Sequence, residues 1–341
     1  MTISAQVKRP SALDAAERAA WLALMQDQPM LRRAFFTPAF ALACEQAHGR
    51  AFVTVLYEAG RPVGFLPFQF AGAWQQRVGL AQRIGGELSD NAGLVAGPGF
   101  ATTPAALLRH SRLGAMFVTH LVAGQERFGL PADETRIGHE IDVSAGAEAF
   151  VGHLDRTNRP FLQETRRRLR RIEREIGKTS FDFCTRPALA DIMQVIEEKR
   201  AQYRRTGVGD PFGDPACLRL VRILVENPDP HCLPVLETFS AGGRVLARHF
   251  GLMYAGHLTY WFPTYDQEAR HLSPGRMQLW HTIQTAGETG VRLIDLGEGD
   301  SQAKRDFSTD AVQLGWVNWS SGDMRGLLAT TCQRIAWRLG R

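Results

Sequence analysis

The chain has 341 residues, of which 44% are hydrophobic and 22% are charged, and its formal net charge is +5. This length is long for one domain and comfortable for two, and the composition is ordinary for a globular protein, which excludes a disordered or fibrous one. The mild positive charge suits an anionic partner, but it does not identify that partner as a nucleic acid.

Five cysteines are scattered along the chain, and none forms a Cys-x-x-Cys pair. They predict neither a disulfide framework nor a zinc site, and we expect no metal. The N-terminus lacks a signal-peptide pattern, and no apolar run reaches the roughly 18 residues of a membrane span. We therefore expect a cytoplasmic protein.

The first half of the chain predicts two helices and then a β-hairpin. The helices cover about 13–26 and the residues after Pro38, and the strands AFVTVLY and PVGFLPFQF flank the turn sequence EAGR. Glycine at a turn between β-rich runs is typical of a hairpin. The second half repeats this order, because FSAGGRVLARH has the same strand–Gly–Arg–strand layout as YEAGRPVGFLP. We therefore predict two similar α/β domains, over 1–150 and 151–341.

The second half begins with a basic helix and continues as alternating strands and helices. Three consecutive hairpin-linked strands, a helix and another strand predict a mixed sheet with helices on both faces. The predicted segments are helix 157–178, strand 180–185, helices 187–205 and 215–226, the hairpin, a strand to 260, a helix from 273, strands from 291 and over 312–319, and a C-terminal helix over 323–339.

The C-terminal helix has one mainly apolar face. Leu328, Cys332, Ile335 and Leu339 share that face by helical spacing, and we expect it to dock on its own domain. Trp337 lies beside several arginines. This combination also leaves a peripheral membrane contact open, at the inner face of the membrane.

The turn that precedes the helix from 273 has the features of an anion site. Ser273 is a preferred N-cap residue, and Pro274 is favoured at the first helical position. Gly275 has no side chain to keep a ligand from the backbone. The free N–H groups of the helix start, with Arg270 and Arg276, would bind a phosphate. The alternative is an ordinary capped helix with solvated arginines.

An acidic loop follows the strand from 291. The sequence LIDLGEGDSQAKRDF places Asp295, Glu298, Asp300 and Lys304 just after that strand. Ligands of open α/β sheets bind beyond the carboxyl ends of strands. A carboxylate there could accept a proton from a nucleophile, and the lysine could stabilise an oxyanion. The alternative is a polar surface loop with an ion pair. His249 is a further candidate base, ranked below Asp300 because a single strand histidine is more often structural.

Four strings carry a family resemblance: EEKRAQYRRTGVGDPF, ARHFGLMYAGHLTYWFPTYD, LSPGRMQLWHTIQTA and IDLGEGDSQAKRDFS. Over residues 154–319 the chain resembles the BioF2-like/CelD-like acyltransferases of the GNAT superfamily, which are similar to the FemABX aminoacyl transferases. The strings FFTPAFALACEQAHG and SDNAGLVAGPG look like the first lobe of that family. The resemblance implies an α/β fold with a mixed sheet and two tandem GNAT-like domains. The second domain would bind acyl-CoA where strands 258–265 and 291–296 separate.

Two motifs of the family are present with one substitution each. The pyrophosphate loop resembles residues 270–275, with Ser273 in place of the first glycine. The motif Asp-x-Gly-x-Gly-Asp…Tyr/Phe-Lys resembles residues 295–304, with Ala303 in place of the aromatic residue. The resemblance therefore implies roles for Asp300 and Lys304, but a role of the aromatic residue cannot carry over.

The basic helix and several aromatic residues are candidates for binding the acceptor. Arg167, Arg170, Arg171 and Arg174 share a face by i, i+3, i+4 spacing. They form either a solvated helix surface or a platform for the phosphates of a nucleotide-sugar, a lipid-linked sugar or an anionic bilayer. Nucleic acid fits less well, because no aromatic residues interleave with the arginines. The candidate acceptor contacts are Arg167, Arg171, Tyr203, Tyr260, Trp261 and Asp295.

These features predict a GNAT-type N-acyltransferase that moves an acyl group, most simply from acetyl-CoA, onto an amine by direct attack. Asp300 or Glu298 would be the base, and Lys304 would stabilise the oxyanion. The resemblance implies an amino sugar or another precursor of the cell envelope or of an exopolysaccharide as the acceptor. Two alternatives stay open: aminoacyl transfer from charged tRNA to a peptidoglycan precursor, and a GNAT-like module that binds a ligand without catalysis.

Overall fold

A computed structural model describes residues 3–338 of the chain. It contains two compact units: unit 1 comprises Met1–Ile137 and Gln313–Arg341, and unit 2 comprises Gly138–Val312. The sequence analysis drew one boundary near 150 and kept the C-terminal strand and helix in the second domain. In the structure, these last elements pack in unit 1.

The helices and strands are numbered in chain order. The strands are β1 (Ile3–Lys8), β2 (Ala51–Glu58), β3 (Arg61–Gln69), β4 (Leu80–Arg83), β5 (Val95–Ala96), β6 (Ala115–Leu121), β7 (Glu134–Asp142), β8 (Thr179–Cys184), β9 (Leu233–Ala241), β10 (Arg244–Tyr254), β11 (His257–Tyr265), β12 (Leu293–Glu298) and β13 (Asp310–Ser320). The helices are α1 (Ala15–Gln26), α2 (Pro38–His48), α3 (Ala73–Val78), α4 (Pro104–His110), α5 (Ala147–Thr157), α6 (Arg159–Glu175), α7 (Leu189–Thr206), α8 (Pro215–Glu226), α9 (Pro274–Gln284), α10 (Ala286–Thr289), α11 (Gln302–Phe307) and α12 (Met324–Arg338).

The strands of the two units pair in the same pattern. In unit 1 the order is β1-β2-β3-β4-β6-β13, and in unit 2 it is β8-β9-β10-β11-β12-β7. In both units the first three pairings are antiparallel, the fourth is parallel and the fifth is antiparallel. This repetition confirms the prediction of a mixed α/β fold with two similar domains.

The two hairpins that suggested a duplication occupy equivalent places in this pattern. The turn between β2 and β3 contains Ala59 and Gly60, and the turn between β9 and β10 contains Gly242 and Gly243. All of these residues have positive φ, which is the backbone conformation of the tight turns that match the twist of paired strands. The strand–Gly–Arg–strand sequences therefore predicted both hairpins correctly.

The last strand of each unit comes from the other half of the sequence. β7 follows β6 in the chain, but its residues Gly138–Asp142 pair with β12 in unit 2. β13 follows β12, but its residues Gly315–Ser320 pair with β6 in unit 1. Trp319 on β13 is buried in the same apolar cluster as Leu107 and Phe128. Each core is therefore completed by a segment that the sequence alone assigns to the other domain.

Helix α12 packs on unit 1 through its smallest residues. Ala329 is fully buried, and Gly326 lies close to the hydroxyls of Ser320 and Ser321. A Cβ atom at Gly114 would lie 2.5 Å from the carbonyl oxygen of Arg325, so the two backbones approach as closely as glycine permits. The large apolar residues of α12 cannot approach that closely.

The face of the C-terminal helix that was predicted to dock is therefore the wrong one. Leu328 is 53% exposed and Ile335 is 52% exposed, while Cys332 is partly buried. Leu339 and the side chain of Trp337 lie outside the described residues. Within residues 3–338, no helix combines the length and the apolar character that crossing a membrane requires.

We predict that Gly114→Ala destabilises the protein by about 1–3 kcal/mol, because the added methyl group overpacks the contact between α12 and β6. Urea denaturation measures the change in the free energy of unfolding. Gly99→Ala is the matched control, because no atom lies within 4 Å of a Cβ there. Equal stability of the two variants would contradict the close packing of α12.

Candidate functional site

A cleft opens in unit 2 where two parallel strands separate. β11 and β12 pair only over His257–Thr259 and Leu293–Asp295. Beyond these residues lies a cleft of about 660 Å³, whose walls are β11, the start of α9, the end of β12, α11 and one side of α7. We call it the β11–β12 cleft. It lies where the sequence analysis expected the strands to diverge.

A buried histidine holds β11 in the shape that this cleft requires. The register of β10 and β11 shifts between Phe250 and Leu252, so β11 has an extra residue there. At this irregularity the backbone N–H of Trp261 donates to Nε2 of His249, at 3.0 Å. Nε2 therefore carries no proton, and Nδ1 donates to Oε2 of Glu237 at 2.6 Å.

The environment of His249 does not suit a base that contacts a substrate. Both His249 and Glu237 are fully buried, and both ring nitrogens of the histidine have partners. The ring stacks on that of Tyr260, with 3.9 Å between centroids. The Tyr260 hydroxyl is buried without a hydrogen-bond partner among the described residues, and burial, followed by the Glu237 charge, raises the pKa of Tyr260 well above its usual value.

The start of α9 forms one end of the cleft. Ser273 has φ 55° and ψ 55°, the left-handed conformation that favours glycine. This is the conformation expected at this position, because the family motif has glycine here. Ser273 occupies the N-cap position as predicted, but its side chain does not cap the helix. Its hydroxyl instead accepts a hydrogen bond from Arg168 Nη1 at 2.6 Å.

Arg276 presents a partly unsatisfied guanidinium at this helix start. Its Cζ lies 4.6 Å from the centre of the Phe161 ring, and its Nη1 is buried without a hydrogen-bond partner among residues 3–338. Burial, and then the nearby Arg168, lower the pKa of Arg276. Arg270 is exposed at the rim of the same cleft. An anion bound here would satisfy the buried N–H group and offset the repulsion between the arginines.

Gly275 lines the cleft without being required by packing. A Cβ atom there would lie 3.7 Å from Cδ1 of Tyr265, which is an ordinary van der Waals distance. The residue lies in the first turn of α9, where alanine is the better helix former. The fold therefore leaves room for a small side chain at Gly275, and its absence keeps the space in front of the helix start open.

A glycine-rich turn after β12 positions a lysine at the other side of the cleft. Gly297 and Gly299 have φ values of 70° and 118°, which only glycine adopts without strain. Nζ of Lys304 donates to the carbonyl oxygens of Gly297 at 3.2 Å and Glu298 at 2.7 Å. Asp295 is buried and accepts the N–H of Gly297 at 2.8 Å, so its carboxylate stabilises this turn.

The two candidate carboxylates of this loop differ in their surroundings. Asp300 is bonded to Nε2 of His139 and to Arg305, each at 2.9 Å. His139 and then Arg305 lower the pKa of Asp300, which makes this carboxylate a weaker base. Glu298 is half-buried at the end of β12, opposite Gly138 of β7.

The sequence analysis missed Lys199, a buried lysine in the wall of the cleft. Only 9% of it is exposed, and its Nζ donates to the carbonyl oxygen of Pro263 at 3.2 Å. Burial, and then the charge of Lys304, lower the pKa of Lys199 to about 8. Its position three residues after the buried Ile196 was the signal available in the sequence, because a lysine on the apolar stripe of a helix is unusual.

The other predicted acceptor contacts are divided between two places. Tyr260 and Trp261 line the β11–β12 cleft, and Tyr203 lies beneath Lys199, whose Nζ is 5.5 Å from the ring centroid. Arg167 and Arg171 instead border a separate groove of about 210 Å³ on α6. We call this the α6 groove; it is lined by Glu164, Arg167, Arg168, Arg171, Arg174 and His271.

Two cavities of unit 1 are smaller than the β11–β12 cleft. One borders β4 and β6 and measures about 120 Å³. The other lies beside β6, is lined by aromatic and aliphatic residues such as Phe35 and Trp319, and measures about 10 Å³. The β11–β12 cleft is several times larger than either. The duplicated fold therefore carries an open cleft in unit 2.

Comparisons with known proteins agree with this architecture. Residues 159–305 match the family described as the acetyltransferase (GNAT) domain. The structure of FemX superposes with a TM-score of 0.62 at 10% identity, covering 98% of this chain and 99% of that chain. A tandem GNAT protein from the clavulanic acid biosynthesis pathway has a TM-score of 0.50 at 13% identity, covering 94% and 99%.

A third similar structure is the C-terminal domain of a putative lysylphosphatidylglycerol synthetase from Agrobacterium fabrum. Its TM-score is 0.52 at 12% identity, and the match covers 94% of this chain and 96% of that chain. No curated protein sequence matches the chain. At these identities the likenesses establish the fold alone, a mixed α/β fold that this chain shares with FemX and with the tandem GNAT protein.

We predict that Lys199→Met raises the free energy of unfolding at neutral pH by up to about 3 kcal/mol, because the pKa falls from 10.5 to about 8 on folding. Between these two values the unfolded chain binds more protons than the folded one, so the stability of the unmodified protein rises with pH. The advantage of the variant should therefore shrink toward pH 10.5. Urea denaturation of both proteins across this range measures it.

The control for this prediction is Lys178→Met, which replaces an exposed lysine. Its effect on stability should be small and should not vary across the same pH range. If the difference between Lys199→Met and the unmodified protein is also independent of pH, Lys199 does not titrate near 8.

Proposed function

We propose that this protein is an acyl-CoA-dependent N-acyltransferase, most simply an acetyltransferase, whose donor binds in the β11–β12 cleft. The observation that carries the proposal is the buried, unpartnered Nη1 of Arg276 at the start of α9. The positive dipole end of α9, together with a partly desolvated guanidinium, suits the pyrophosphate of coenzyme A. The open space between the strands would receive the pantetheine arm.

Acyl transfer in this cleft needs few groups from the protein. The nitrogen of the acceptor amine forms a bond to the thioester carbonyl carbon, the C–S bond then breaks, and the thiolate takes up a proton. The negative charge that develops on the carbonyl oxygen requires a donor, and Lys304 is the candidate. Its ammonium is held by two carbonyl oxygens at the cleft wall, so little reorganisation precedes the reaction.

The base must accept a proton from the acceptor ammonium. Asp300 and Glu298 remain candidates, but His139 and then Arg305 lower the pKa of Asp300, which makes this carboxylate less suited to accept a proton. Lys199 is an additional candidate, because it lines the cleft and its pKa of about 8 leaves a neutral fraction near physiological pH. Lys199 would accept the proton in its neutral form and release it to solvent after the transfer.

An amino group on a sugar, in a precursor of the cell envelope or of an exopolysaccharide, is our candidate acceptor. The α6 groove borders the helix start through Arg168, which bonds to Ser273, and its arginines suit a phosphate of a nucleotide-sugar or of a lipid-linked sugar. Tyr260 and Trp261 would provide aromatic surface for the sugar ring. We propose a cytoplasmic location for this reaction.

Aminoacyl transfer from charged tRNA is the second candidate function. The similarity to FemX, which extends over nearly the full length of both chains, favours it. The α6 groove could then bind a phosphate of the tRNA acceptor end rather than of a sugar. A GNAT-like module that binds its ligand without turnover is the remaining alternative.

We predict that acetyl-CoA and desulfo-CoA raise the melting temperature of the protein in a saturable way, because each binds only the folded state. At a hundredfold excess over Kd the gain is about 2.7 kcal/mol, or several degrees. Arg276→Ala should abolish the shift, since it removes the guanidinium whose Nη1 is buried at the start of α9. Differential scanning fluorimetry with each ligand, and with deacylated tRNA, measures these shifts.

The informative control is Gly275→Ala. It should raise the stability of the free protein by about 0.5–1 kcal/mol, as alanine does in a helix, and yet weaken binding of acetyl-CoA because its methyl group enters the cleft. A variant that is more stable but binds more weakly separates the donor site from general unfolding. A shift with deacylated tRNA and none with any form of coenzyme A would overturn the acyl-CoA proposal in favour of aminoacyl transfer.

We further predict that Lys304→Ala lowers kcat for acetylation of an amino sugar by about 10²-fold or more, with little change in the binding of acetyl-CoA, as expected for an oxyanion donor. Asp300→Asn should have a smaller effect, because Asp300 is held by His139 and Arg305. Release of free coenzyme A thiol measures turnover. If Lys304→Ala retains full activity, the assignment of Lys304 is wrong, and if the protein binds coenzyme A without turning over, the non-catalytic alternative applies.

A further inference from the structure

The outward side of α12 is an apolar surface on an otherwise ordinary exterior. Met324 is 81% exposed, Leu327 62%, Leu328 53% and Ile335 52%. Their spacing of three, four and seven residues places them on one side of the helix, opposite the buried Ala329. We call these four residues the α12 apolar face. Large apolar residues thus point outward while small ones pack inward, the reverse of a surface helix that only stabilises its domain.

Positive charge borders this face. Arg334 and Arg338 are exposed on α12, and residues 324–338 contain no aspartate or glutamate. The neighbouring helix α3 has the exposed Arg77 and Trp74, but Trp74 borders a small cavity on the inward side of α12, beside the buried Gln333. A row of large apolar residues beside arginines is the composition of helices that lie in a membrane interface.

A second copy of the chain and a lipid bilayer are the two partners that would cover this face. The distribution of charge decides between them. In a symmetric dimer the same patch meets itself, so the arginines of one copy would approach those of the other. No acidic residue of α12 is available to offset that repulsion. An anionic bilayer instead offers hydrocarbon for the apolar face and phosphate groups for the arginines at the same time.

We propose that the α12 apolar face binds the surface of an anionic lipid bilayer. The helix lies along the interface with Met324, Leu327, Leu328 and Ile335 among the acyl chains, and with Arg334 and Arg338 at the headgroups. This function is separate from the β11–β12 cleft, because the helix belongs to unit 1 and the cleft to unit 2. It holds whether the acyl donor is acyl-CoA or aminoacyl-tRNA.

Cosedimentation of the full chain with vesicles tests this proposal. Vesicles of phosphatidylglycerol and phosphatidylcholine in equal parts should bind the protein at least tenfold more tightly than vesicles of phosphatidylcholine alone, and added salt should weaken the binding. The double variant Leu327→Ser/Leu328→Ser should lose at least tenfold in affinity for the anionic vesicles. Arg334→Glu/Arg338→Glu should abolish the preference for anionic lipid.

Val208→Ser is the matched control, because it removes an apolar side chain that is 59% exposed but lies in unit 2. It should bind vesicles as the unmodified protein does, and equal melting temperatures show that all variants are folded. Equal vesicle binding by Leu327→Ser/Leu328→Ser, or no binding to anionic vesicles at low salt, overturns the proposal. So does a concentration-dependent dimer in light scattering that this double variant abolishes, because the face then serves a second copy of the chain.

Discussion

The separation of β11 from β12 is the constraint on which the candidate site depends. Parallel strands normally continue their hydrogen bonds side by side, but here the pairing stops after three residues on each strand. The N–H of Trp261 finds its partner in the side chain of His249, which is in turn fixed by Glu237. A buried backbone N–H without a partner is costly, so this histidine makes the irregular strand stable.

The wall of the cleft also concentrates positive charge that the fold does not need. Lys199 and Arg276 are desolvated, and each is close to another cation, Lys304 and Arg168 respectively. Such an arrangement lowers the stability of the free protein, because burial removes part of the hydration of each cation, and for Arg276 the nearby Asp306 and Glu164 offset this only in part. It is expected where an anionic ligand supplies a counter-charge, so the local instability and the proposed donor site have the same cause.

Each unit takes its last strand from the other half of the sequence, so neither half can complete its core without the other. Unit 1 is completed by β13 and unit 2 by β7, so neither half of the sequence holds all the strands of its unit. The exchange also determines the position of α12, which follows β13 and packs against β6. The contact is close because Gly114 and Gly326 have no side chains, and the larger residues of α12 are therefore left outside.

Local patterns in the sequence determined the strands, the helices and the tight turns of this protein. Hairpin turns at Gly60 and Gly243, and the helix start after Ser273, depend on residues that are close together in the chain, so they could be predicted. The family strings predicted the two similar domains and the position of the cleft for the same reason. Only the tertiary structure decided which unit receives β7 and β13, because strand pairing over long separations leaves no local signature. It also decided that His249 lies behind the cleft and Lys199 in its wall, since the burial of a polar side chain depends on neighbours that are distant in sequence.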